Sequence, residues 1–336
     1  MAKVSVIVPV YNAGEYLRKC VDSLIHQTLT DIEIIFVLDC PTDGSDAIIK
    51  EYASQDDRIK VIANETNLRT GLSRNRGLDA ATGEYIAFSD HDDYCNVDML
   101  EKMYLKAKET DADVVVSDFF SQNEREWVLN SFPVDGTDEE FQQASFKYLV
   151  GWCNWKDKKK SVKSNGLIWN QLYKRSFLEA NHIHFQDNLK ITAEDRLFLI
   201  EVYLCARKIV RLPEAFYYHV YVSTSEGRSY HYLAIDRIIN YLGYLYSFLN
   251  QHHCLEEMSN YFVDSVLRSL YTGFRKELKY RSLGYTWKKI LELRSNQLVQ
   301  MSLPKIKGLR KYPCTKIAFY YLLTLFTKSP CLKANA

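Results

Sequence analysis

The sequence predicts an α/β fold in which a mostly parallel sheet is flanked by helices and followed by a helical C-terminal region. Two observations lead to this prediction. Over the first 120 residues, β-branched apolar runs alternate with segments of helical periodicity, which is typical of doubly wound parallel sheets. After about Tyr230, apolar residues recur at helical spacing only.

The individual elements can be assigned in order along the chain. The predicted strands are Val4–Val10, Ile32–Leu38, Ile59–Ala63, 85–89 and 114–117. Four helices are predicted between these strands. The first follows a capping box at 12–15, and the second begins at Ser45 as its cap. The third lies near 72–81, and the fourth covers 99–108. Further along, a turn at 135–138 leads into a helix, and strand and helix signals mix over 166–221.

Composition argues against several classes of function. The net charge of +1 gives no reason to expect nucleic acid as a partner. None of the eight cysteines forms a Cys-x-x-Cys pair, which argues against zinc clusters and thioredoxin-like chemistry. Scattered thiols fit a reducing compartment, and residues 1–9 have the pattern of a strand, not of a secretion signal. We therefore expect a cytoplasmic location.

Two segments leave a membrane contact open. Residues 317–326 are apolar between Lys316 and Lys328, but they are shorter than a spanning helix. They form either an interfacial segment or a buried terminal helix. Five lysines between 156 and 163 form either a solvated loop or a patch for a diphosphate or a membrane surface. Peripheral contact with the inner face of the cytoplasmic membrane is one expected alternative.

An acidic cluster follows the predicted strand at 85–89. Asp90, Asp92 and Asp93 lie within four residues, and carboxylates held so close repel one another unless a cation is shared between them. Oxygen ligands suit Mg²⁺ or Mn²⁺, which also bind substrate phosphates. The alternative is a solvated acidic turn that caps the next helix.

Polar residues also follow two other predicted strands, at Tyr11-Asn12 and at 39–43. Ligands of open α/β sheets bind at the carboxyl ends of the strands. Three polar segments at such ends favour a metal and ligand site over an isolated acidic turn.

Six short motifs occur in a fixed order within residues 3–118. In sequence they are 4–12 (VSVIVPVYN), 23–28 (SLIHQT), 33–37 (EIIFV), 42–45 (TDGS), 74–78 (RNRGL) and 81–86 (ATGEYI), ending in the acidic cluster. Together they resemble the family 2 glycosyltransferases, which have the GT-A (Rossmann-like) fold. Each motif alone is weak, but their order and spacing are specific.

This resemblance implies roles for individual residues. Asp39 occupies the position that contacts the nucleotide base, and Arg74 a position near the donor nucleotide. Asp90 corresponds to a contact with the ribose or the metal. Asp92 corresponds to the ligand of the Mn²⁺ or Mg²⁺ that bridges the donor diphosphate, with Asp93 beside it as a further ligand. The other residues expected to bind substrate at these strand ends are Pro9, Tyr11 and Asn12.

One segment departs from the family pattern. Two aspartates and then Gly-Ser are usual in the second loop, whereas this chain has Leu38-Asp39-Cys40-Pro41. The second aspartate is kept and the first is replaced, while Pro41 stiffens the loop. The departure bears on base recognition and not on the existence of the site.

A second acidic pair, Glu194-Asp195, resembles the catalytic motif of the same family. It follows residues 167–173 (LIWNQLY), which also match a family segment. An acceptor hydroxyl has a very high pKa, so a positioned carboxylate must take its proton during attack. We predict Asp195 as the catalytic base and Glu194 as its supporting neighbour. The alternative is that the pair only begins a helix, where the dipole favours carboxylates.

His219 leaves two interpretations open. It precedes residues 223–225 (STS), where family members place diphosphate or metal contacts. It is therefore either a substrate contact and third metal ligand or a structural histidine. His182 and His184 have no matching third ligand in the sequence and are predicted to be structural.

The sequence thus predicts a bacterial, inverting glycosyltransferase with a GT-A domain at 1–225 and a helical region at 226–336. By resemblance, the donor is a nucleotide sugar carried on UDP. The acceptor is a saccharide or lipid-linked saccharide of surface polysaccharide biosynthesis. The alternative is a nucleotide-sugar binding module without catalysis, against which Glu194-Asp195 argues. Oxidoreductases and nucleotidyltransferases need glycine-rich loops after the first strand, where this chain has 9–14 (PVYNAG).

Overall fold

The computed structural model describes residues 2–124, 126–132, 136–151, 167–222, 234–302 and 319. These residues form two compact units. The first contains a sheet with its helices and consists of the described residues up to 149, 167–189 and 193–222. The second is helical and contains the described residues 150–151, 190–192, 234–302 and 319.

The described strands of the first unit form one nine-stranded sheet. The strands are β1 (Val4–Val10), β2 (Ile32–Leu38), β3 (Ile59–Ala63), β4 (Tyr85–Phe88), β5 (Tyr94–Cys95), β6 (Val114–Gln122), β7 (Trp127–Asn130), β8 (Gln171–Lys174) and β9 (Ile209–His219). Their order across the sheet is β3-β2-β1-β4-β8-β6-β9-β5, and β7 pairs with β6.

The sheet is parallel over its first four strands and mixed beyond them. Strand β1 pairs in parallel with β2 and β4, and β2 pairs in parallel with β3. Strand β8 runs antiparallel between β4 and β6, while β6 and β9 are parallel. The predicted α/β fold is confirmed. The strand predicted at 114–117 extends to Gln122, and β8 separates it from β4.

Helices of the first unit connect these strands. They are α1 (Tyr16–Ile25), α2 (Ser45–Ala53), α3 (Arg69–Ala80), α4 (Met99–Thr110), α5 (Asp138–Gly151), α6 (Arg175–Ala180) and α7 (Glu194–Cys205). All seven residues of β1 and of β2 are buried. A strand that is covered on both faces needs a nearly continuous apolar run, and only Ser5 and Glu33 interrupt these two.

Two predicted helix caps are wrong. Helix α1 begins at Tyr16 after Glu15, without a side-chain cap, because the Asn12 side chain accepts the Thr42 N–H instead, at 2.7 Å. Helix α2 follows Gly44, so Ser45 is its first residue rather than its cap. The Ser45 hydroxyl accepts the Ala13 N–H at 3.1 Å, which joins the loops after β1 and β2.

The helical unit agrees with the periodicity that follows Tyr230. Its helices are α8 (Ala234–Gln251), α9 (Ser259–Tyr280), α10 (Leu283–Ser295) and α11 (Gln297–Ser302). Within the described residues, no helix is both long and apolar enough to cross a membrane. Of the apolar segment 317–326, only Phe319 is described; it is buried, and its ring lies 4.9 Å from that of Phe274.

Several predictions concern residues outside the described ranges. They are the lysine cluster at 156–163, the 223–225 segment and the domain boundary between 225 and 226. These stay predictions.

Candidate active site

The three polar segments expected at strand ends follow three neighbouring strands. Asp39 follows β2, Tyr11 and Asn12 follow β1, and the acidic cluster follows β4. Backbone and side-chain contacts join them. The Asp39 N–H donates to the Val10 carbonyl at 2.9 Å, and the His91 ring lies 3.0 Å from the Pro9 carbonyl oxygen. The edge of the sheet therefore gathers these segments into one place.

The loop after β2 is organised by Asp39. Its side chain is buried, and its Oδ1 accepts the Asn64 side-chain amide and the Leu68 N–H. Its Oδ2 accepts the Arg69 N–H at 2.8 Å. Asp39 thus binds the first N–H groups at the start of α3, which have no partner inside the helix. Its contact with a nucleotide base stays a prediction.

Two residues of this edge adopt left-handed backbone angles that residues with a Cβ seldom adopt. The φ angle is 47° at Asn12 and 58° at Cys40. Such conformations persist only where neighbouring contacts enforce them, and they concentrate at functional sites. Here Thr42 binds the Asn12 side chain, and the Cys40 thiol donates to the Asn64 carbonyl. The Tyr11 side chain, directly before Asn12, is 43% exposed, and Pro9 is buried in β1.

Arg74, on α3, joins the two acidic motifs. Its guanidinium is buried; Nη2 donates to Asp90 Oδ1 at 2.9 Å, and Nη1 lies 3.6 Å from Glu194 Oε1. The acidic cluster after β4 and the Glu194-Asp195 pair therefore share one cation. Gly71, one turn earlier on α3, makes room for this approach. A Cβ there would lie 2.5 Å from Asn188 Oδ1 and 3.1 Å from Glu194 Cγ.

The Glu194-Asp195 pair begins α7 directly after Ala193, whose φ angle is 55°. Burial raises the pKa of Asp195 to about 7, and the negative charge of Glu194 adds to this effect. Arg74 and the Arg196 N–H, which donates to Asp195 Oδ1 at 2.7 Å, oppose it. A carboxylate with this pKa can accept a proton near neutral pH and release it again.

Asp92 and Asp93 lie in surroundings that disfavour negative charge. Burial raises the pKa of both carboxyls, and the charge of Asp90 raises both further. Asp93 is only 1% exposed; its Oδ1 accepts the Val220 N–H at 2.7 Å. Its buried Oδ2 has no hydrogen-bond partner within the described part of the chain. The His91 and His219 rings oppose the rise in pKa at Asp92, and the Tyr217 hydroxyl opposes it at Asp93, but burial outweighs them.

The geometry around these carboxylates limits how a metal would be held. No group of three or more His, Cys, Asp or Glu side chains comes together as a metal site among the described residues. Mg²⁺ typically takes one or two carboxylates and completes its shell with substrate phosphates and water. The donor set at Asp90 and Asp92 fits that pattern.

His219 lies exposed at the end of β9. Its ring stacks on Trp169, with 5.4 Å between centroids and 9° between planes. Trp169 in turn stacks on Tyr217 at 4.2 Å, and the Tyr217 hydroxyl accepts the Asp90 N–H at 3.0 Å. This stack supports the backbone of the acidic cluster, and the sequence patterns did not single it out. The ring of His184 lies 3.0 Å from the His182 carbonyl oxygen after α6.

Comparison with known proteins identifies the family to which this chain is similar. The family described as Glycosyl transferase family 2 matches residues 5–157. Glycosyltransferase GlyG of Streptococcus pneumoniae is 31% identical over 218 residues, which cover 64% of this chain and 69% of that protein. Glycosyltransferase GlyA of the same organism is 36% identical over 217 residues. That match covers 64% of this chain but only 30% of GlyA.

A solved structure shares the fold. The structure of S. aureus TarS 1-349 in complex with UDP-GlcNAc has a TM-score of 0.63 and 22% identity, covering 96% of this chain and 90% of that one. This likeness confirms the GT-A fold with a helical C-terminal region. Together with the match to GlyG and the family match, it leads to one conclusion: the chain belongs to glycosyl transferase family 2.

Proposed function

We propose that this protein is an inverting glycosyltransferase that moves a sugar from a UDP-sugar to a hydroxyl of a saccharide or lipid-linked saccharide. The observation that carries the proposal is the Arg74 bridge, which holds Asp90 and Glu194 on one guanidinium. The bridge brings together a donor-binding motif and the acidic pair that contains the base. A binding module without catalysis would have no use for this arrangement.

Asp195 acts as the general base in this proposal. The acceptor oxygen attacks the anomeric carbon from the face opposite the diphosphate, while the Asp195 carboxylate takes the hydroxyl proton. The bond between the anomeric carbon and the diphosphate oxygen breaks with its electron pair leaving on that oxygen, so the configuration inverts. The pKa of about 7 suits this task, because proton transfer is most effective when the base titrates near the working pH.

Asp92 would hold Mn²⁺ or Mg²⁺, with Asp90 and Asp93 beside it. Bound there, the metal would stabilise the negative charge that develops on the departing diphosphate. The fit is supported by the oxygen-only donor set of Asp90 and Asp92, which suits a hard divalent cation. Arg74 would supply a fixed positive charge at the same edge of the sheet, and Tyr11 and Asn12 would border the nucleotide. His219 would contact the substrate or complete the metal site.

The donor is proposed as a UDP-sugar because a TarS structure of the same fold contains UDP-GlcNAc. A further structure of this fold, a mannosyltransferase from Pyrobaculum calidifontis, contains GDP-Man and Mn²⁺, so the nucleotide needs a direct test. Surface polysaccharide synthesis is proposed as the setting, with peripheral membrane contact through the C-terminal region.

The test is nucleotide release from UDP-, GDP-, dTDP- and CMP-sugars, each with and without Mn²⁺. We expect release from UDP-sugars alone, with Mn²⁺ required and with an inverted anomeric centre in the product by NMR. The Asp92→Asn variant should lose release, whereas Asp57→Asn, the same change at an exposed carboxylate, should not. Retention of configuration, or equal turnover by Asp92→Asn, would contradict the proposal. Binding of UDP without any turnover would favour the binding module.

A further inference from the structure

A small pocket lies beside the acidic cluster and shares Asp92 and Asp93 with it. Its volume is about 290 Å³, and Asp92 and Asp93 form one side of it. The rest of the lining consists of Tyr16, Lys19, Tyr94, Gln122, Trp127 and Val220. This volume is at the low end of the roughly 300–1,000 Å³ typical of ligand pockets. It suits one sugar ring better than a nucleotide.

Tyr94, which lines the pocket, belongs to a row of stacked rings that crosses three strands and lies behind the lining. Tyr94 on β5 pairs with Tyr218 on β9, which pairs with Phe120 on β6. Tyr94 and Tyr218 stack at 4.7 Å and 5°, and Phe120 and Tyr218 at 4.9 Å and 17°. Trp127 packs edge-on against Tyr94 at 6.0 Å and remains 39% exposed. Rigid aromatic side chains of this kind bind apolar surface at a low entropic cost.

The polar side of the pocket leaves a donor and an acceptor for a ligand. The Lys19 ammonium lies 3.4 Å above the Tyr94 ring, and it forms no ion pair with any described residue. Across the pocket, Asp93 is 1% exposed, and its Oδ2 has no partner in the described ranges. A buried acceptor without a donor is costly, so a ligand hydroxyl at this oxygen would be stabilised. A pyranose offers both its apolar C–H face and its hydroxyls.

We propose that this pocket binds the acceptor, specifically one neutral pyranose ring of it. The ring lies against Trp127, donates a hydroxyl to Asp93 and accepts a hydrogen bond from Lys19. Asp92 belongs both to the pocket and to the acidic cluster, so the bound ring borders the donor site. The inference rests on the proposed glycosyltransferase function, since it names the acceptor class of that site.

The experiment is saturation-transfer NMR on the full chain with UDP and Mn²⁺ present. The probes are the methyl β-glycosides of glucose, galactose, N-acetylglucosamine and N-acetylgalactosamine. We expect at least one glycoside to bind through its ring C–H protons, and Trp127→Ala to weaken that binding about tenfold or more. Lys19→Gln, a change at an exposed residue, should weaken it less. The matched control is Trp287→Ala, at a tryptophan that is 43% exposed on α10.

Thermal stabilisation by UDP and Mn²⁺, measured on the same samples, separates the two proposals. The Trp127→Ala and Lys19→Gln variants should keep the wild-type shift. The acceptor pocket is overturned if no glycoside binds the wild type, or if both variants bind it as Trp287→Ala does. If the wild type binds a glycoside through Trp127 but shows no UDP shift, the saccharide pocket stands and the proposed function fails.

Discussion

The two edges of the sheet hold buried carboxylates in opposite ways. At the amino-terminal edge, Glu33 on β2 is 5% exposed and surrounded by donors. Its Oε1 accepts from the Ser5 hydroxyl and from Thr82 and Gly83, and its Oε2 pairs with Lys60. At the carboxyl edge, the Oδ1 atoms of Asp93 and Asp195 each accept one backbone N–H, and Asp93 Oδ2 has no partner among the described residues.

The pKa values follow this difference. Burial alone would raise the pKa of Glu33, but the bonds from Lys60, Ser5 and Thr82 outweigh it and lower the pKa to about 2. Burial raises the pKa of Asp195 to about 7, the charge of Glu194 adds to this effect, and Arg74, which also pairs with Asp90, opposes it only in part. Glu33 therefore stabilises the fold, whereas the carboxylates at the carboxyl edge keep unfavourable negative charge that a substrate, a metal or a proton can offset.

The largest expected effect is the loss of transfer in Asp195→Asn. Removing a general base lowers the rate by about 10²–10⁴-fold. Stability should not fall, because the folded pKa of about 7 lies above the ordinary value of 3.8. Ionisation of Asp195 therefore destabilises the fold progressively as pH rises from about 4 to about 7, and this cost persists above that range. The measurements are transfer rate and thermal unfolding at pH 8. A variant with normal transfer would remove Asp195 from the mechanism.

Glu33→Gln is expected to lower stability without affecting donor binding, the opposite of Asp195→Asn. A pKa lowered from 4.5 to about 2 stabilises the fold fully above about pH 4.5, and this contribution is lost as pH falls toward 2. At pH 7 the variant should lose about 3–4 kcal/mol of unfolding free energy, since the pKa falls from 4.5 to about 2 and one pKa unit is about 1.4 kcal/mol. Its donor binding should be unchanged under folded conditions.

Chemical denaturation at pH 7 measures that loss. The control is Glu109→Gln, at a side chain that is 69% exposed, where we expect a change within about 0.5 kcal/mol. If Glu33→Gln were no less stable than this control, Glu33 would not stabilise the fold, and the proposed difference between the carboxylates of the two edges would be wrong.

A smaller effect is expected from pH alone. Asp195 must be ionised to accept the acceptor proton, so the transfer rate at saturating donor and Mn²⁺ should rise with pH up to about 7 and then level off. One unit below the midpoint, the rate should be lower by about tenfold. A rate profile that is flat between pH 5.5 and 8 would mean that another group takes the proton.

Much of this site could be predicted from the sequence, and the reasons are local. Strands β1 and β2 have the predicted bounds because strands covered on both faces are nearly continuous apolar runs, here interrupted only by Ser5 and Glu33. Given those strands, the rule for carboxyl ends places Asp39, Asn12 and Asp90 together. The short strand β8 between β4 and β6 could not be ordered, because four residues carry no information about their neighbours in the sheet.

The parts that sequence patterns missed depend on contacts between distant residues. The Arg74–Glu194 approach depends on the packing of α3 against the segment before α7, where Gly71 faces Asn188. The two caps failed because Asn12 and Ser45 bond to neighbouring loops instead of to their own helices. A capping pattern is local, whereas the partner that outcompetes it is not.

The proposal that Asp92 holds the metal needed for nucleotide binding is tested most directly by thermal unfolding. The wild type and Asp92→Asn are each measured with and without UDP and Mn²⁺. We expect Asp92→Asn to be at least as stable as the wild type when no ligand is present, because burial and Asp90 disfavour the charge of Asp92. We expect UDP with Mn²⁺ to stabilise only the wild type, by about 2.7 kcal/mol at about 100 times the dissociation constant. An unliganded variant that is less stable, or one that keeps the metal-dependent shift, would contradict this proposal.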